Sequence, residues 1–218
     1  MNIFEKHEIF EIEALEKLKN ARVLDVLVFG GGTMLRLCHE LKRYSADLDF
    51  WRIKDMDENT LFNKIQDSLH EDYDITDAQM KHFTILFEIR SKGFPKRLKI
   101  EIRKEIRDWD FQEKIAFSRF SNKQVVLKAH TLEQTMINKI AALLERAEVR
   151  DGFDIEFLMR QGILMPDIPE TDKAKLITIL DSFKPNDFKV KLASVLESDI
   201  RTYYIENQFK YLRRKVMS

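Results

Sequence analysis

The stretch Val26-Leu27-Val28-Phe29-Gly30-Gly31-Gly32-Thr33, followed by Arg43-Tyr44-Ser45-Ala46-Asp47-Leu48-Asp49-Phe50-Trp51, decides how this chain reads. A short apolar run that stops at glycines is a buried strand ending in a tight turn. Thr33 then caps a helix carrying Met34, Leu35, Leu37 and Leu41. From Ser45 to Trp51 polar and apolar residues alternate, the pattern of a second strand.

Side chains alternate faces along a strand, so Asp47 and Asp49 point the same way while Leu48 and Phe50 point into the core. Two carboxylates held this close repel each other unless a cation sits between them. A hard divalent ion such as Mg2+ suits them, because it takes oxygen ligands and keeps room for water and phosphate. Taken alone, an Asp-x-Asp is most often a solvated polar face or an Asp-rich turn. Glu101 changes the balance. In the predicted strand Leu98–Ile102, the residues Leu98, Ile100 and Ile102 face one way and Lys99 and Glu101 the other. If this strand lies beside the Asp strand, Glu101 is a third carboxylate on the same face. Three carboxylates can hold two metals, and Glu101 could accept the proton of an attacking hydroxyl. Gly31 and Gly32 add a phosphate site, since glycine admits a close backbone approach and a helix start offers free N–H groups to an anion. No Gly-Lys-Ser/Thr follows, so this is not a Walker loop.

Around this centre the first half reads as mixed α/β. Ile9, Ile12, Leu15 and Leu18 repeat at helical spacing, Asp57 to Leu69 is helical, and Phe83–Ile89 forms an antiparallel hairpin with Leu98–Ile102 across Gly93 and Pro95. The second half is helical. Thr131-Leu132-Glu133-Gln134 has the form of a capping box, and a helix runs on to about Arg146. A second helix spans roughly 151–160, Leu176 to Phe183 mark a third, and Leu192, Val195, Leu196 and Ile200 a fourth, with 161–171 as a linker. The expected class is α+β: a mixed β-sheet flanked by helices over residues 1–128, followed by a helical subdomain over 129–218.

Composition narrows the function. Lys plus Arg is 37 and Asp plus Glu is 37, so no global charge pulls on nucleic acid, and any such binding needs a local basic patch. The tail Lys210-Tyr211-Leu212-Arg213-Arg214-Lys215 is basic with an aromatic; it reads first as a solvated helix end and only second as a stretch that could touch RNA. The single cysteine, Cys38, excludes an intrachain disulfide and a Cys-based zinc site. The charged start has no signal-peptide core, and no apolar run approaches the roughly 20 residues of a membrane span. A cytoplasmic protein without a membrane partner is expected.

The order strand, Gly-Gly, helix, Arg43-x-Ser45-x-Asp47-x-Asp49 and a later strand with Glu101 resembles the nucleotidyltransferase superfamily. GGTMLRL followed by RYSADLDF is similar, more narrowly, to the AbiEii/AbiGii toxin family of bacterial toxin–antitoxin and phage-defence pairs. That family carries a helical Lys and then Arg-Asp-x-x-Asp, matched here by Lys139 and by Arg150-Asp151-Gly152-Phe153-Asp154. Gly152 stands where the family often has an apolar residue, which predicts a looser helix start. The resemblance covers about residues 24–160.

It implies a metal-dependent nucleotidyltransferase that moves an NMP from an NTP to an acceptor hydroxyl. Asp47, Asp49 and Glu101 would bind two Mg2+ ions, and Gly31, Gly32 and Thr33 would hold the β and γ phosphates. Lys139 would neutralise the triphosphate. Arg43 and Ser45 would contact phosphate or orient Asp47. Asp151 and Asp154 would face the nucleotide, or anchor Lys139, Arg146 or Arg150 in a salt-bridged helix pair. The family further implies a toxin acting on RNA, with the tRNA 3′ end as target, and a cognate antitoxin protein. A protein or small-molecule acceptor, and a non-catalytic nucleotide- or partner-binding module, are the alternatives.

Overall fold

The computed structural model describes residues 1–217 and divides into two compact units, one of 1–40 with 45–130 and the other of 41–44 with 131–217. The boundary expected at 128/129 compares with the crossing at His130/Thr131, and the short insert Leu41–Tyr44 in the second unit was not foreseen.

The first unit opens with α1 (Ile3–Asn20). Asn2 caps it by accepting from the Phe4 and Glu5 amides, and Glu5 reaches back to the Asn2 amide, a reciprocal capping box. A single 3-10 turn leads into β1 (Leu27–Gly30), which runs directly into α2 (Gly31–His39). Then come β2 (Asp47–Arg52), α3 (Glu58–His70), β3 (Asp74–Met80), β4 (Thr84–Arg90), β5 (Leu98–Ile106), β6 (Phe111–Phe117) and β7 (Gln124–His130). The seven strands form one sheet in the order β3-β4-β5-β2-β1-β7-β6. β2 lies at its centre, antiparallel to β1 and parallel to β5. Leu48, Phe50, Leu98, Ile100 and Ile102 are buried, as the alternation demands, and pack with Phe29 and Phe87 in the core. The hairpin between β4 and β5 is antiparallel, as the intervening glycine and proline implied.

Three strands escaped the sequence reading. β3 and β6 are the edge strands, half or more exposed, and their polar content hides the period-2 signal. β7 does alternate, with Val125, Leu127 and Ala129 buried.

The second unit holds α4 (Leu132–Arg146), α5 (Val149–Arg160), α6 (Glu170–Ser182), α7 (Ser198–Asn207) and α8 (Lys210–Met217). Thr131 caps α4 by accepting from the Gln134 amide at 3.1 Å. The fourth helix predicted around Leu192 and Ile200 is not one helix. A π-helical stretch, Asp187–Leu192, ends in turns, and α7 starts afresh at Ser198. Leu41–Tyr44 lies against that break, with Tyr44 N donating to Val195 O and Glu197 N to Lys42 O. This pairing takes the backbone groups that a continuous helix would have used itself. The helix start at Gly152 is not loose either. Gly152 is buried, and a Cβ there would stand 2.7 Å from the Phe209 ring, so the missing side chain makes room for an aromatic. Phe153, Tyr204, Phe188 and Phe209 continue that cluster edge to face.

Among the described residues no helix is long and apolar enough to cross a membrane.

Candidate active site

The site is built on the centre of the sheet. Register sets Asp47 opposite Lys99 and Asp49 opposite Glu101 across the parallel β2–β5 pair, so all four side chains leave one face. On the other flank Asp49 stands opposite Gly30 of β1. Asp47 is exposed, and Asp49, Lys99 and Glu101 are half-buried, so the polar face of β2 is open to solvent while its apolar face is sealed.

Two glycines shape the approach to Asp49. Gly30 has no room for a side chain, because Trp51 and His130 press against it. Gly31 has a φ of +73°, the left-handed region, and a Cβ there would collide with the Asp49 carboxylate. The N-terminus of α2 therefore begins against the carboxylate. Helix α2 starts at Gly31, with Gly30 as its cap residue, so Thr33 is not the cap that the sequence suggested. Thr33 is fully buried in the first turn and donates its hydroxyl to Asp47 O at 2.6 Å, which ties the helix to the strand. That hydrogen bond engages the hydroxyl of Thr33, which was expected to hold phosphate together with Gly31 and Gly32. Gly31 and Gly32 keep their place at the helix start, where unpaired amides and the helix dipole favour an anion.

Behind this face sits a buried polar cluster on α1 that the sequence reading did not single out. His7 Nε2 lies 3.1 Å from Ala46 O, the residue before Asp47. Arg36 of α2 donates to Glu8 Oε1 at 2.8 Å, and Ser118 donates to Glu8 Oε2 at 2.7 Å, so α1 fixes the helix that carries the glycines. Glu11 is fully buried, and neither of its oxygens has a hydrogen-bond partner. Burial above all, then the fields of Glu8 and Asp47, push its carboxyl well above the ordinary range against the pull of Arg36. The helical spacing of His7, Glu8 and Glu11 among apolar residues was the available signal.

The three acidic residues share a face but do not close around one point. Among the described residues no three His, Cys, Asp or Glu side chains are gathered as a metal site. Glu101 Oε2 instead accepts from Lys99 Nζ at 2.6 Å. Burial works against the charge on Lys99, but the hydrogen bond to Glu101 and the fields of Glu101, Asp47 and Asp49 outweigh it and hold the ammonium above the usual lysine range. The donor set is nonetheless right for a hard divalent ion: carboxylate oxygens on one face, partly open, with a cation already drawn among them.

The remaining sequence candidates belong to the second unit, Ser45 excepted. Ser45 is half-buried in the link before β2. Arg43 is buried and grips Asp154 with two parallel bonds, Nε to Oδ1 and Nη2 to Oδ2, both 2.6 Å. Lys139 Nζ lies 2.6 Å from Asp154 Oδ2 and 3.2 Å from Asp151 Oδ1, and Arg146 closes on Asp151 at 2.7 and 2.8 Å. Burial opposes the charge on Asp154, but Arg43 and Lys139 prevail and hold it below the usual carboxylate range. Of the two roles foreseen for Asp151 and Asp154, the geometry displays the anchoring one. Arg43 is likewise committed to Asp154, so its expected contact with phosphate finds no support in this arrangement.

Comparison with known proteins places the fold and the family. The crystal structure of JHP933 from Helicobacter pylori superposes with a TM-score of 0.55 at 19% identity, covering 95% of this chain and 94% of that one. MenT4, the nucleotidyltransferase toxin Rv2826c of Mycobacterium tuberculosis H37Rv, superposes with a TM-score of 0.55 at 14% identity, covering 97% of this chain and 85% of its own. At these identities the likeness is one of fold. A search of curated protein sequences gives no match. The sequence model of the nucleotidyl transferase AbiEii toxin family, from type IV toxin–antitoxin systems, matches residues 13–202. With nearly the whole chain matched, and an Asp-x-Asp strand set against a glycine-led helix, the protein belongs to the AbiEii family of nucleotidyltransferase toxins.

Proposed function

We propose that the chain transfers a nucleoside monophosphate from an NTP to an acceptor hydroxyl on RNA, in a reaction that requires Mg2+, and that it does so as the toxin partner of an antitoxin protein. The observation that carries this reading is the register of Asp49 with Glu101, beside a helix start that only glycine can form.

Asp47 and Asp49 would hold the metal, with Glu101 joining once it leaves Lys99. A divalent ion there supplies charge neutralisation at the triphosphate. The chain's own groups do the rest. Amides at Gly31 and Gly32 hold the β and γ phosphates at the positive end of α2. Thr33 keeps strand and helix in fixed relation through Asp47 O. The acceptor oxygen forms its bond to the α-phosphorus, the bond to the β-phosphate oxygen breaks, and pyrophosphate leaves. The hydroxyl proton passes to a carboxylate, for which Glu101 is the candidate. Such catalysis is mostly positioning and electrostatics.

An RNA acceptor needs basic surface, because the net charge is zero. Lys210, Arg213, Arg214 and Lys215 on α8 provide an exposed basic stretch. The test is to incubate the protein with labelled NTPs and cell extract, then separate RNA from protein. Label in RNA, strongest at the tRNA 3′ end, supports the reading. Label confined to protein or a small molecule replaces the acceptor and keeps the chemistry.

A further inference from the structure

Three carboxylates on one face of two adjoining strands repel one another, and their mutual repulsion must be balanced. Here the balance comes from within the strand. Lys99 stands two residues before Glu101 on β5 and opposite Asp47 on β2, so its stem rises from the middle of the acidic face. Its Nζ hydrogen-bonds Glu101 Oε2 at 2.6 Å. The Glu101 side chain keeps only 26% of its exposure and that of Lys99 39%, so this pair is more sheltered than an ordinary surface ion pair. An ammonium among carboxylates occupies the electrostatic position a divalent ion would take, and a Glu101 oxygen that accepts from it is not at that moment a ligand.

We infer that Lys99 is the resident counter-ion of the metal-free carboxylate face. It holds Glu101 until a divalent ion and the nucleotide arrive, and then turns from Glu101 to the incoming triphosphate. Lysine suits such an exchange, since its ammonium is a compact charge on a flexible stem and can change partner without a fixed fork geometry. The device keeps metal affinity low in the absence of nucleotide and couples full loading of the site to the substrate's own negative charge. This rests on the metal-dependent reading above and adds a positioning residue to it.

The test is calorimetric titration of Mn2+ into the full chain without nucleotide, for wild type, K99M, K99R and D49N. Removing one positive charge a few ångströms from a divalent ion predicts binding about ten-fold tighter in K99M. K99R, which keeps the charge, restores the weaker wild-type affinity, an outcome that a merely structural role for the side chain would not produce. K99Q carries the same expectation as K99M and replaces it if the methionine variant does not fold. If K99M and K99Q bind Mn2+ no more tightly than wild type while D49N has lost binding, the counter-ion role is overturned and the metal site stands. If D49N binds as wild type does, the metal site itself is wrong and the inference falls with it.

Discussion

Asp49 on β2 and Glu101 on β5 are direct partners in a parallel pairing, so their carboxylates leave the same face of the sheet although 51 residues of chain separate them (101 − 49 − 1). Gly30 flanks Asp49 on the other side. The central strand thus presents its acid between a neighbouring acid and the start of a helix, and the tests below probe each part of that setting.

Gly31→Ala should spoil the site with little loss of fold. The left-handed φ of +73° costs a non-glycine residue about 1–2 kcal/mol. The added methyl group also meets the Asp49 carboxylate and must displace it. Misplacement of a reacting group by about 1 Å can cost roughly a hundred-fold in rate. The expected result is a transfer rate down by about that factor, with a melting temperature lowered by only a few degrees. A variant with wild-type activity would mean that Asp49 tolerates displacement.

Asp154→Ala separates anchoring from nucleotide binding. It leaves the buried Arg43 without its two-pronged partner and Lys139 without its shorter contact. Breaking a buried ion pair from one side costs about 3–5 kcal/mol. Thermal unfolding should fall by roughly 10 °C, with amide exchange accelerating in α4 and α5. Loss of activity at unchanged melting temperature would instead assign Asp154 to the substrate.

Glu11 gives the protein an alkaline weakness. Its folded-state carboxyl is raised by burial, so the folded chain keeps a proton that the unfolded chain has released. Its contribution is whole below the ordinary carboxylate range and is lost as pH rises through the raised value. His39 and His130 act in the other direction. Burial lowers both to about 4, so their contribution is lost as pH falls from the ordinary histidine value toward 4. In the difference between Glu11→Gln and wild type the effects of His39 and His130 cancel. His7, whose Nε2 lies 3.6 Å from Glu11 Oε1, is lowered by burial and loses its contribution toward acid pH, opposite to Glu11. Melting temperatures measured from pH 5 to pH 9 should show the variant gaining on wild type as pH rises, by about 2–4 °C for each kcal/mol recovered. A difference that stays constant with pH would show that Glu11 does not titrate in this way.

Much of the central site could be read from one strand and one turn. The alternation of Asp47, Leu48, Asp49 and Phe50 fixes which side chains share a face whatever the partner strand, and the glycine run marks a junction where Gly30 and Gly31 have no room for a side chain. What a single strand does not contain is register. Lys99 was visibly on the same face as Glu101, but its contact with Glu101 and its place opposite Asp47 follow from pairing and rotamer. The glycine turn pointed to a cap at Thr33, yet the cap falls three residues sooner, at Gly30, with Gly31 at a left-handed φ where the helix begins. In the second half, apolar spacing around Leu192 and Ile200 fits one continuous α-helix, and the backbone of Leu41–Tyr44, distant in sequence, pairs with the break between them.

The central claim is that the acidic face of β2 directs nucleotidyl transfer, and the most direct measurement uses NTPs labelled on either the α or the γ phosphate, with Mg2+, for wild type and Asp49→Asn. The account predicts that α label joins the acceptor, that γ label departs with pyrophosphate, and that Asp49→Asn reduces transfer by at least about a hundred-fold. Transfer of γ label, or full α transfer by the folded Asn variant, would contradict it.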